Sequence, residues 1–399
     1  MTSVPQPPAD VTRHLRPVRM RAADDERHPT WLELFFDLCF VAAVAALASG
    51  LHHHPDARGV LTFAGLFIPV WWAWMGYTWY ASAFDNDDIV FRVCWFVAML
   101  LIIALASQSA SAADGDGVGF ALAYGLLQAL LAALFLRARR RESTARAFAT
   151  RYAAGDLLGA VVWLASALVP PPLQYVLWAT GMGILMATPP FAVLAYRGKA
   201  FNAAHIAERY GLFTLIVLGE SVVAVAAGLG GGGLTRPQVI TAVLGFGVAA
   251  CLWWVYFGSV RWSSLTRDSL LRSFTWGYGH LLVFAGVAAA AVGVHLAADA
   301  AGGLAELDAT GRWILAGGVI AFLTALIAIH YVTVMRWDGL STGRAAAVAS
   351  LVALAALGGG LGPPVFSCVV FGVLFALAVV ETLRLGTSPA AEASPQIGG

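Results

Sequence analysis

Two carboxylates interrupt the first long apolar run of this chain, Trp31-Leu-Glu33-Leu-Phe-Phe-Asp37-Leu-Cys39-Phe-Val41. A third interrupts a later one, Leu215-Ile-Val-Leu-Gly-Glu220-Ser221. Burying a charged carboxylate in hydrocarbon costs several kcal/mol or forces the group to hold a proton. Acids in such runs therefore face a bundle interior and take part in ion or proton handling. Glu33 and Asp37 are four residues apart, so both lie on one helical face, about 6 Å apart along the axis. Two like charges there repel, so either one is protonated or a cation sits between them. His280, in Trp276-Gly-Tyr-Gly-His280, falls about two turns into another apolar run. A neutral imidazole there either relays protons or is a satisfied core histidine. Asp37, Glu220, Glu33 and His280 are the candidate ion- or proton-binding groups.

Other polar residues could pair with them or gate access. In His205-Ile-Ala-Glu208-Arg209 the spacings of three and four residues put Glu208 and Arg209 beside His205 on one helix surface. That pattern reads as an ion-pair cluster holding a helix end, or as a proton-entry group. Asp85-Asn-Asp-Asp88 looks like an N-cap with acids at the positive helix end. Arg92 follows at the membrane boundary, within reach of Asp37 or Glu33. Asp156, after Gly155, is another inward-facing candidate. Gln108, His295 and His330 fall near helix ends and read as structural. His52-His-His54 does not read as a metal centre, because three consecutive side chains cannot converge on one ion in regular structure. No metal or cofactor is expected.

The elements that must position these groups are membrane helices. Apolar residues make up 59% of the 399, charged residues 12%, and mean hydropathy is +0.76. A soluble domain carries about twice that charged fraction. Crossing hydrocarbon takes about 20 apolar residues, which predicts spans near 31–51, 60–81, 89–110, 119–137, 150–169, 173–196, 206–228, 237–258, 273–297, 312–334, 344–361 and 364–384. The breaks carry turn chemistry, as at Asp114-Gly-Asp-Gly117 and Pro170-Pro-Pro172. The fold class is an all-α polytopic membrane protein of about twelve transmembrane helices. Residues 1–30 and 386–399 read as disordered cytoplasmic tails, the first having no apolar signal region. Cys39, Cys94, Cys251 and Cys368 all fall within spans and read as packing residues.

Arginine placement fixes the expected orientation. With both termini cytoplasmic, all but Arg58, Arg236 and Arg312 of the 24 Lys and Arg fall on the cytoplasmic side. The densest cluster, Arg137, Arg139, Arg140 and Arg141 continuing to Arg146 and Arg151, is a topology signal and a possible site for anionic lipid. Weak self-similarity relates the halves. Trp71-Trp-Ala-Trp-Met-Gly76 resembles Trp253-Trp-Val-Tyr-Phe-Gly258, and Asp37 aligns with Glu220 at nearly the same separation. This predicts a 6+6 parallel tandem repeat, with membrane halves at 31–198 and 199–385.

Absences narrow the chemistry. Lys199, the only lysine, sits in a loop, so no retinal Schiff base can form in the bundle. No phosphate loop, HExxH zinc motif or GxSxG nucleophile elbow is present.

Taken together, Glu33–Val41, Asp85–Asp88 with Arg92, His205–Ser221 and Tyr278-Gly-His280 resemble the bacterial low temperature requirement protein A (LtrA) family. Cys39 stands where that family commonly has a valine. The resemblance implies a multi-pass protein of the bacterial cytoplasmic membrane linked to growth in the cold, with no settled chemistry. The expected function is an ion- or proton-coupled secondary transporter rather than an enzyme. The alternatives are a membrane-embedded enzyme acting on lipid, its phosphate held by the cytoplasmic-side arginines, and a non-catalytic scaffold or sensor.

Overall fold

In the computed structural model, the described residues are 18–20, 29–85, 87–142, 145–194, 203–230, 234–259, 270–303 and 305–386. Among them the apolar runs form twelve helices of 19 to 33 residues. They are α1 (Trp31–His53), α2 (Ala57–Ala83), α3 (Ile89–Ser107), α5 (Val118–Arg141), α6 (Arg146–Ser166), α7 (Leu173–Val193), α8 (Ala203–Gly228), α9 (Arg236–Ser259), α10 (Leu270–Gly302), α11 (Ala309–Val334), α12 (Gly339–Leu357) and α13 (Pro363–Gly386). The third predicted span breaks at Gln108, and a single turn-rich piece, α4 (Ser109–Ala113), follows it. Eleven of the helices are long and apolar enough to cross a membrane. The twelfth, α6, holds Arg151 and Asp156 within its 21 residues, which lowers its hydropathy. The chain is an all-α polytopic membrane protein.

Asp and Thr side chains start several of these helices by accepting from otherwise orphaned backbone N–H groups. Asp88 accepts from the Phe91 N–H at 3.0 Å, Asp308 from Gly311 at 2.7 Å, and Asp338 from Leu340 and Ser341, each at 3.1 Å. Thr30 Oγ1 accepts from the Glu33 N–H at 3.3 Å and so starts α1.

The chain forms two compact units. The first holds the described residues up to Ala43 together with Pro69–Ile206. Here α5 packs on α6, and α6 on α7, through stacked aromatic rings: Phe135 on Tyr152 at 4.4 Å and Trp163 on Trp178 at 5.1 Å. Residues Arg19–Met20 (β1), in the segment expected to be tail, pair antiparallel with Phe84–Asp85 (β2) at the end of α2.

The second unit holds Val44–Ile68 and the described residues from Ala207 onward. Its closest helix pair is α10 with α11. A Cβ on Gly318 would lie 2.4 Å from Ala290 N and 2.6 Å from Gly286 O, so these backbones meet only because no side chain intervenes. In α12 and α13, Arg344 and Glu381 form a buried bidentate pair at 2.7 and 3.0 Å, and Arg344 Nη1 also donates to the Leu326 carbonyl at 3.2 Å.

The motifs matched between the halves sit in different surroundings. Trp71, Trp72 and Trp74 are buried in the first unit, whereas Trp253 and Trp254 are about half exposed in the second.

Candidate functional site

The first turn and a half of α1 carries both acids of the opening motif, and each finds a partner within the first unit. Glu33 Oε2 lies 3.0 Å from His205 Nε2, and neither side chain has any exposed surface. A contact this short between a carboxylate oxygen and a ring nitrogen requires one shared proton, held formally on either side. One turn along α1, Asp37 Oδ1 accepts from the Trp74 indole N–H at 2.8 Å, again fully buried. The indole supplies one charge-assisted hydrogen bond but no countercharge. This corner therefore brings two carboxyls and an imidazole together on buried side chains.

Asp156 is the second buried acid of this unit. It is 3% exposed, and its Oδ2 has no hydrogen-bond partner among the described residues. The Tyr77 and Tyr124 phenols lie within electrostatic reach of it. Tyr77 donates to the Leu127 carbonyl at 2.9 Å and Tyr124 to the Met182 sulfur at 3.3 Å, so neither hydroxyl proton goes to the acid. Burying such an oxygen without a hydrogen bond carries a desolvation cost.

The boundary residues pair differently from expectation. Arg92 makes an exposed bidentate bridge to Asp87, at 2.8 and 3.0 Å, and not to Asp37 or Glu33. The reason is local: Asp87 precedes the helix by two residues, and both side chains are exposed. Asp88 caps α3 and also binds Arg137, the first arginine of the basic cluster. Arg139 and Arg140 are exposed. The Asp85 and Arg141 side chains lie outside the described residues, as do Arg197, Arg261 and Arg267.

In the second unit Arg209 is fully buried and Glu208 half buried. Glu220 is half buried on α8, with no ion-pair partner among the described residues. His280 is fully buried among Tyr210, Tyr256, Trp276 and Phe284. Its Nδ1–H donates to the Trp276 carbonyl at 2.7 Å, and its Nε2 accepts from the Tyr256 hydroxyl at 3.1 Å. Both ring nitrogens of His280 thus have hydrogen-bond partners.

Sequence reasoning did not reach two of these groups. Trp74 carries no sign that its indole N–H is committed to an acid 37 residues away. Arg344 and Glu381 each resemble helix-boundary charges, yet both are buried. An acid inside the predicted last span, 364–384, was the available signal for Glu381.

Fold and site together define a multi-pass helical membrane protein with buried ionisable groups. The chain belongs to the bacterial low temperature requirement A protein (LtrA) family, whose model matches residues 28–379. It is 29% identical over 285 residues to an uncharacterised protein of Rhizobium meliloti (strain 1021), covering 67% of this chain and 69% of that one. No solved structure matches the chain.

Proposed function

We propose that this protein is a proton- or ion-coupled secondary transporter of the bacterial cytoplasmic membrane, with Glu33, Asp37 and Glu220 as its protonatable carboxyls. The observation that carries the reading is the Glu33–His205 contact, one turn from Asp37 and wholly buried. Ionisable groups are retained inside membrane bundles at a cost in stability, and proton relays are a common reason for keeping them. His205 shares the proton with Glu33, Trp74 holds Asp37 in place, and Asp156 is a further protonatable carboxyl. His280, Glu208, Arg209 and the Asp88–Arg137 pair position the helices that carry them. A 6+6 parallel repeat, with Glu220 as the counterpart of Asp37, completes the proposal.

The test is proton flux after a pH jump in proteoliposomes, comparing wild type with Asp37→Asn and Glu220→Gln. Flux in wild type that disappears in both variants, with unchanged elution from a sizing column, supports coupling. Equal flux in all three would overturn the assignment of these carboxyls.

Anionic headgroups are a proposed partner at the basic cluster. Arg139 and Arg140 are free to meet them, whereas Arg137 is held by Asp88.

A further inference from the structure

The histidine triplet at the end of α1 acquires partners from a helix far away in sequence. His52 Nε2 lies 2.9 Å from Asp299 Oδ2, and His295 Nε2 lies 3.8 Å from Asp299 Oδ1. The two imidazoles stack with centroids 4.0 Å apart and planes 19° from parallel. One ligand atom from each of the three residues lies within 4.8 Å of the other two. All three belong to the second unit.

The sequence argument against a metal here holds for the triplet alone, since His53 and His54 do not converge with His52. His53 Nδ1 is taken up locally by the Ser49 carbonyl at 2.8 Å and its hydroxyl at 3.4 Å. The site instead uses one member of the triplet. His295 and Asp299, four residues apart, present imidazole and carboxylate from one face of α10.

We propose that His52, His295 and Asp299 form a three-ligand site for a divalent transition-metal ion of the zinc class. Two imidazole nitrogens and one carboxylate oxygen are a recurrent protein donor set for Zn²⁺, at about 2.0–2.2 Å from the ion. Tetrahedral ligands at those lengths sit about 3.3 Å from one another. Small side-chain rotations from the observed spacing reach that value. His52 and His295 are 22% and 25% exposed and Asp299 50%, so a fourth position opens to solvent. That is the form of an exchangeable or regulatory site rather than a closed structural one.

Untagged protein, stripped with chelator and titrated with ZnCl₂ by calorimetry, tests this directly. Wild type is expected to bind one Zn²⁺, and Co²⁺ at the same site is expected to give visible absorption of a four-coordinate ion. His295→Ala and Asp299→Asn are each expected to weaken binding by more than the roughly tenfold that even an outer partner of a ligand is worth. His53→Ala is the control and is expected to bind as wild type does. Zinc is also expected to raise the melting temperature of wild type but not of His295→Ala, a readout that confirms the variant is folded. No saturable binding by wild type, equal binding by the ligand variants, or a loss in His53→Ala as large as in His295→Ala would each overturn the site.

Discussion

His205 and Glu33 are 172 residues apart in sequence, yet their side chains meet at 3.0 Å with no surface exposed on either. The pair ties the start of α8 to the first turn of α1 within one compact unit. Removing one member takes a buried hydrogen-bond partner from the other. His205→Ala is therefore expected to cost about 3–5 kcal/mol, read as a clear fall in thermal midpoint in detergent. Glu33→Gln keeps a hydrogen-bonding partner of the same length and is expected to lose much less, while losing proton flux. Equal destabilisation by the two substitutions would show that the pair acts through packing alone.

Asp156 makes the opposite prediction. A buried carboxyl with a vacant Oδ2 does not stabilise the fold, so Asp156→Asn is expected to leave the thermal midpoint unchanged or raised. Under the transport reading the same variant loses flux. A fall in midpoint comparable to that of His205→Ala would mean that Asp156 holds the structure together through its charge.

How far the sequence reaches is clear from these two acids. Hydropathy and turn chemistry locate the spans because each is a local property of about 20 residues. The four-residue spacing likewise places Glu33 and Asp37 on one face without knowledge of any neighbour. Partners are another matter. His205 shows i+3 and i+4 companions in Glu208 and Arg209, but the contact with Glu33 depends on which helices pack together, and a single sequence carries no trace of that. His295, read as a structural residue near a helix end, becomes chemically interesting only when α10 is seen to bring it to His52. The arginines of the boundary mislead for a related reason: Arg92 is solvated and paired to Asp87, whereas Arg344, of the same type and apparent position, is buried.

The Arg344–Glu381 pair is a bidentate bridge with further support from the Leu326 carbonyl. Either Arg344→Ala or Glu381→Ala leaves a buried charge alone and is expected to cost about 3–5 kcal/mol. Arg344→Met combined with Glu381→Leu removes both charges together and is expected to recover most of that loss. Unfolding of the single and double variants in mixed micelles gives the comparison, and additive losses would refute a direct pair.

Gly318 is one of the positions where the α10 and α11 backbones approach closely. A Cβ there meets backbone atoms of Gly286 and Ala290 rather than flexible side-chain ends, so no rotamer change can make room. Gly318→Val is expected to cost about 1–3 kcal/mol or more through overpacking. Gly317→Val, one residue away with nothing near its Cβ, is expected to be tolerated. Melting both variants side by side separates close approach from helix propensity, since the added residue type is the same.

Asp338 precedes α12 and gives a pH prediction of definite sign. Burial raises its carboxyl, but hydrogen bonds from His330 at 2.8 Å and from the Ser341 N–H outweigh that and hold it below the usual carboxylate value. A carboxyl whose folded value is depressed stabilises the fold above its unfolded value, about 3.9, and loses that contribution as pH falls through the folded one. Asp338→Asn keeps an N-cap side chain but removes the charge. The difference in thermal midpoint between wild type and this variant is thus expected to be steady above about pH 5 and to shrink below about pH 4. Asp338→Ala, which removes the cap as well, is expected to cost about 1 kcal/mol beyond Asp338→Asn across the range. A wild-type advantage over Asp338→Asn that grows on acidification would reverse the sign and refute the stabilising role of the ionised carboxyl.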